Sequence, residues 1–154
     1  MTRISSQMSR AALPALMLLL AALLSGCLGH PAAKAPDPVD ASGNDQRLAY
    51  LAELGWEVDP EPLEALVLQL PTELGETYGD YLKLQEQQGL PFSQCGGKTV
   101  SRYTYSVTNY PNYDGPVQID LWVCGGVLVG GDVTAPGENG FIAGLAFPQE
   151  AARQ

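Results

Sequence analysis

The side chains able to do chemistry in this chain are few, and they are poorly matched for catalysis. There is one histidine, His30, and there are three cysteines, Cys27, Cys95 and Cys124. A Cys–His nucleophile would need His30, which lies in a Pro- and Ala-rich stretch away from the other two cysteines, so that chemistry is set aside. With no second histidine, the part that folds holds neither a Ser-His-Asp set nor a Gly-x-Ser-x-Gly elbow. Two cysteines and one tether histidine are too few for a zinc site. Carboxylates are the remaining reagents: Asp114, Asp120, Asp132 and Glu138 all fall in the second half. Two of them would have to converge in one cleft to hydrolyse a bond. With Asn112 and Asn139 they also offer oxygen ligands for Ca²⁺, but without EF-hand spacing. The reading is therefore no enzyme, no metal and no cofactor, with a small carboxylate-using envelope hydrolase as the alternative.

Cys27 has a clearer assignment. A cationic stretch with Arg3 and Arg10 precedes an apolar run from Ala11 to Leu24. About fourteen residues of helix span roughly 21 Å, short of the roughly 30 Å of a bilayer core, so the run reads as a signal-peptide core and not as a membrane span. It ends in Leu24-Ser25-Gly26-Cys27, which resembles the lipobox of bacterial prolipoproteins. The resemblance implies cleavage before Cys27 and lipidation of its sulfur, with palmitate among the acyl chains. Two or more chains make such anchoring stable. The expected address is the extracytoplasmic face of the cell membrane. Because Leu28 and not an acid follows Cys27, an outer-membrane address is open where the host has two membranes.

Composition sets further bounds. The chain has 154 residues and a formal charge of −9. Loss of residues 1–26 removes Arg3 and Arg10 but no acid, so the mature protein carries −11. Such a surface repels nucleic acid and anionic lipid, and neither is expected as a partner. Residues 27–46 comprise the lipidated Cys27 and a Pro-, Ala- and Asp-rich segment that reads as a flexible tether. Residues 47–147 suffice for a single modest core, and 148–154 read as a disordered tail.

The elements that must position any site fall into two halves. Asn44 is a suitable N-cap for a helix over about 45–54 that closes at Gly55. Leu66, Leu68 and Leu70 share one face of a strand ending before Pro71. Thr72 is placed to cap a second helix, whose stripe of Leu74, Tyr78, Tyr81, Leu82 and Gln85 runs to Gly89. The pattern then changes to period two. Tyr103, Tyr105 and Val107 alternate with polar residues, as do Val117, Ile119, Leu121 and Val123, with turn chemistry at 110–115 between them. Gly125-Gly126 makes a second turn into Val127-Leu128-Val129, and Gly130-Gly131 reads as a bulge or a close backbone approach. The fold class is α+β: two N-terminal helices covering one face of an antiparallel β-meander.

This register bears on the remaining candidates. A turn centred near Asn112 sets Cys124 opposite Val100, and Gly96-Gly97 allow Cys95 to curl back. Cys95 and Cys124 are thus a candidate disulfide in an exported protein, with two free thiols as the alternative. Tyr103 and Tyr105 are expected to face the helices, leaving Arg102 and Thr104 outward. Arg102 would then pair with Asp120 on the next strand or meet an anionic ligand. Tyr110, Tyr113 and Trp122 are the candidate partner-contact aromatics, against the alternative that they pack the hairpin edge.

Several segments together resemble a known family. They are Tyr50-Leu51, Gly55-Trp56-Glu57-Val58, Tyr78 with Tyr81, Leu84-Gln85 and Gln88-Gly89. In the second half they are Gly97-Lys98, Arg102-Tyr103-Thr104-Tyr105, Asn109-Tyr110-Pro111, Gly130-Gly131-Asp132-Val133 and Gly140-Phe141. In this order they resemble the uncharacterised bacterial family called domain of unknown function 4830, mostly from Firmicutes. The resemblance implies an extracytoplasmic α+β domain and no catalytic residues. The expected function is a membrane-anchored, non-enzymatic binding or accessory module that meets an envelope protein or a small ligand. Convergence of Asp120 and Asp132 in a cleft would favour the hydrolase, and a shallow exposed aromatic patch at Trp122 would favour binding.

Overall fold

A computed structural model describes residues 37–137 and 140–149. The signal segment, with Leu24, Ser25, Gly26 and Cys27, and the end of the tail beyond 149 lie outside the described residues. No helix among the described residues is long and apolar enough to cross a membrane. The fold is α+β. Helix α1 (Asn44–Glu53) is followed by strand β1 (Glu64–Gln69) and helix α2 (Gly75–Gln87). A short 3-10 turn (Phe92–Cys95) leads into β2 (Thr99–Ser106), β3 (Gln118–Cys124), β4 (Val127–Ala135) and β5 (Phe141–Ala143). The strands form one antiparallel sheet in sequence order, β1-β2-β3-β4-β5.

The expected hairpin register is present: Ser101 opposes Val123 and Tyr105 opposes Ile119. Gly125 and Gly126 both take positive φ, 59° and 84°, as a tight turn between twisted strands requires. The third strand continues past the length expected for it. β4 runs through Gly130-Gly131 to Ala135, and the register shifts by a bulge opposite Trp122/Val123. A Cβ on Gly130 would stand 2.9 Å from Phe92, and one on Gly131 2.6 Å from Leu145. The glycines therefore serve close packing on opposite faces of a continuing strand.

That two-sided packing corrects the expectation that both helices cover one face. Tyr105, Ile119, Leu121 and Val133 join Leu51 of α1 in one core. Val100, Trp122 and Val129 join Leu74, Phe92 and Cys95 in a second, against which Tyr78, Tyr81 and Leu82 of α2 pack. Residues paired across the strands share a face, so these cores lie on opposite sides of the sheet. Burial on both faces makes β3 and β4 nearly continuous apolar runs. Strict alternation is thus a misleading guide here: Trp122 occupies a position that alternation would leave polar.

Two boundaries also move. The chain enters the first core before residue 47: Ala41 is buried, Val39 packs beside it, and Asp40 bridges to Val127. The Ala41 N–H donates to the Gly126 carbonyl at 2.8 Å, and Leu128 N–H to that of Val39 at 3.0 Å. The C-terminal end of the expected tether is therefore structural. Neither expected cap forms: α1 starts after Gly43 and α2 after Leu74, each without a side-chain cap. Asn44 is drawn away by tertiary contacts, donating to the Pro60 carbonyl at 2.9 Å and accepting from the Tyr105 hydroxyl at 2.8 Å.

Candidate interaction surface

The polar side chains of the second half gather on the face that α2 covers. Thr104, Asp120 and Asp132 are direct cross-strand partners on β2, β3 and β4. The Thr104 hydroxyl donates to Asp120. Asp132 is buried and takes hydrogen bonds on both oxygens, from Tyr81 at 2.8 Å and Thr134 at 2.7 Å. Burial raises the Asp132 carboxyl above the ordinary aspartate range, against the lowering effect of those two hydroxyls, and the Asp120 charge adds to the rise. Burial, and then the same two carboxylates, hold the Tyr81 phenol protonated far above its usual range. The two acids thus converge, but Asp132 is 3% exposed and its lone pairs are engaged. In this arrangement they bind α2 to the sheet.

Arg102 pairs with Glu64 of β1 and not with Asp120. Thr104 stands opposite both Glu64 and Asp120, and its short hydroxyl takes the nearer carboxylate. The longer Arg102 reaches the strand on its other side, its guanidinium 5.7 Å from the Trp122 ring. Trp122 itself is 6% exposed and packs against Phe92, with ring centroids 5.4 Å apart. It is separated from Tyr110 and Tyr113, which belong to the opposite core. Tyr110 stacks on Trp56 and leans on Phe141, and Tyr113 meets Phe141 edge-on at 5.7 Å. No single aromatic patch unites the three residues.

Cys95 and Cys124 are both free thiols, and their sulfurs interact, an approach that the sequence register allowed without requiring it. Burial, and then the hydrogen bond with the Cys124 thiol, push the Cys95 thiol up to about 11, so at neutral pH it is a poor nucleophile. Asp114 lies exposed in the turn, while Glu138 and Asn139 fall outside the described residues. No cluster of three or more metal-ligating side chains occurs among the described residues.

Two arrangements had no signal in the sequence pattern. The first is Arg47, a buried guanidinium in α1. It donates to the Tyr105 hydroxyl at 2.8 Å and the Ala41 carbonyl at 3.0 Å, and stacks 3.6 Å from the Tyr103 ring centre. The second is a pair of glutamines at the β4 edge. The Gln85 amide accepts from Gly131 N–H at 2.9 Å and donates to the Gly131 carbonyl at 3.0 Å, as a neighbouring strand would. Gln88 donates to the same carbonyl at 3.0 Å and accepts from Leu145 N–H. They seal β4 where β5 ends at Ala143. Beside this seal, Asp80, Tyr81, Lys83, Leu84, Gln87 and Ile142 line an open groove of about 310 Å³.

The β1 edge of the sheet is different. β1 has the sequence EALVLQ, and of its residues only Leu68 is even partly buried. Val67 is 69% exposed and Leu66 40%, with Leu63 just before the strand at 58%. Its one charge, Glu64, is engaged by Arg102. Among the described residues no element covers this edge, and without lysine or internal proline it leaves backbone donors and acceptors open to another strand. This is the most accessible apolar surface among the described residues. Compared with protein-family models, curated proteins and solved structures, the chain matches none.

Proposed function

We propose that this protein is a lipid-anchored, extracytoplasmic, non-enzymatic binding or accessory module, and that it engages its partner at the envelope by strand addition along β1. The observation that carries the reading is the bare apolar edge at Leu66 and Val67. Strand addition uses main-chain hydrogen bonds for affinity and alternate side chains for specificity, and it needs no cleft. The anchor rests on the lipobox-like Leu24-Ser25-Gly26-Cys27, and kinship with the domain of unknown function 4830 proteins rests on residue pattern alone. The hydrolase reading has less support, since the converging acids Asp120 and Asp132 are tied up by Thr104, Tyr81 and Thr134.

The test has two arms. Radioactive fatty acid should label the wild-type chain and not Cys27→Ala; no label in the wild type would remove the anchor from the reading. A photo-crosslinking residue at Val67 should capture an envelope protein in intact cells, and one at the exposed helix position Glu86 should not. Equal capture at both positions, or none at either, would dismiss β1 as the binding edge.

A further inference from the structure

We infer that the strand added to β1 is the β1 of a second copy of this chain, in an antiparallel register centred on Val67. The inference rests on the reading of β1 as the binding edge, and goes beyond it by naming the occupant. Hydrogen-bond phase and side-chain face are linked in an antiparallel pair, so the side chains choose the centre. A centre on Leu66 would set Glu64 against the partner's Leu68, and one on Val67 does not. Leu70 N–H donates to the Lys98 carbonyl at 2.9 Å, so even-numbered residues of β1 pair with β2. The N–H and C=O groups of Ala65, Val67 and Gln69 therefore turn to the free edge. A two-fold axis perpendicular to the sheet keeps each face on its own side, so opposed residues must share a face.

Centring the axis on Val67 meets both conditions. Val67 then opposes the partner's Val67, and Ala65 opposes the partner's Gln69, all as hydrogen-bonded pairs. Between them Leu66 meets the partner's Leu68 on the face that carries the second core. The exposed Leu66 and Val67 are both covered, and no like charges are set opposite each other. Glu64, the one charge in the strand, falls beyond the paired residues and is held by Arg102. This local neutrality matters in a chain of net charge −9, whose copies otherwise repel. Pro62 and Pro71 bound the strand and limit the pairing to this stretch. A contact of one short strand falls below the roughly 1,200 Å² typical of stable interfaces, so pairing is expected of copies confined to one membrane and not of dilute soluble chains.

The test uses the full chain in native membranes with its own cysteines retained. Val67→Cys alters an exposed side chain and leaves the core intact. In the proposed register the two introduced thiols sit on Cα atoms about 5.5 Å apart, within disulfide reach. Mild oxidation should then give about tenfold more covalent dimer than Glu86→Cys or the parent chain, a ratio set by enforced proximity against chance collision. Leu66→Cys, which faces the partner's Leu68, should give less dimer than Val67→Cys, and joining it with Leu68→Cys should restore the yield. Val67→Cys dimer no greater than that of Glu86→Cys would overturn the proposal, as would a yield that is the same along the whole strand. If the Val67 photo-crosslinker captures a different envelope protein and no second copy, self-pairing is wrong while the binding edge stands. If it captures nothing, both fall.

Discussion

β1 along its outer side and β4 beyond the end of β5 both lack a neighbouring strand, and the two are treated in opposite ways. At β4, where β5 ends after three residues, Gln85 and Gln88 supply side-chain amides that occupy the Gly131 N–H and carbonyl. At β1 no side chain among the described residues is committed to this task, and apolar residues stand exposed along the strand. An unpaired edge is a hazard that folded proteins usually cover, twist or charge. Sealing β4 beyond β5 while leaving β1 bare favours lateral association along β1.

Breaking the seal should have the largest effect. Gln85→Ala removes a buried amide, leaves Gly131 groups short of partners and opens a void against Phe92. A loss of about 3 kcal/mol in urea unfolding is expected, combining unmet hydrogen bonds with a cavity. A loss below about 0.5 kcal/mol, the range of ordinary surface changes, would mean that the glutamine bridge does not hold the edge. Next is Gly131→Ala, whose new methyl meets Leu145 at 2.6 Å and the Asp120 carbonyl at 3.0 Å. Overpacking of this kind costs about 1–3 kcal/mol, readable as a lowered Tm, and an unchanged Tm would show that Leu145 yields freely.

Asp132 ties α2, the helix carrying both glutamines, to the same strand, and its behaviour is set by pH. Because burial raises its folded value, the protonated form is favoured in the fold. Its contribution is complete below the ordinary value of 3.8 and is lost as pH rises through the elevated one. Asp132→Asn cannot ionise, so its stability relative to wild type should improve as pH rises through that window. Unfolding curves in which the two proteins keep a constant difference across the window would contradict this. The smallest effect on stability is expected at the open edge. Val67→Lys, on a side chain 69% exposed, should shift unfolding by less than about 0.5 kcal/mol. Yet a charge there should abolish capture in membranes by a photo-crosslinking residue placed at the exposed Ala65 of the same strand. A large loss of stability would show that β1 is packed more tightly than its exposure indicates.

Much of this architecture was legible in the sequence, for reasons particular residues make clear. The stripe from Leu74 to Gln85 faces the second core as its spacing required. The β2–β3 register followed from two alternating runs and the turn between them. Gly125-Gly126 marked a turn that needs positive φ. Other features were hidden because their cause is not local. Trp122 breaks alternation because a second layer covers its face, and Asn44 abandons its capping role for Tyr105 and Pro60. Val39 and Ala41 lie in a tether-like composition, but the β3–β4 turn offers them backbone partners. Of the candidate site residues, Arg102 changed its ionic partner, and Trp122 proved to be core and not surface.

By itself the sequence determined the pattern of elements, the lipobox-like stretch at Cys27 and the poverty of catalytic groups, because these depend on residue type and short-range spacing. Which faces of the sheet are covered, which carboxylate Arg102 meets and which edge is left open were decided only by the tertiary structure. Burial and backbone pairing at an edge depend on what else arrives there, and Gln85 reaches Gly131 from 46 residues away. No short-range rule could anticipate that contact, nor that β1 would be left without its equivalent.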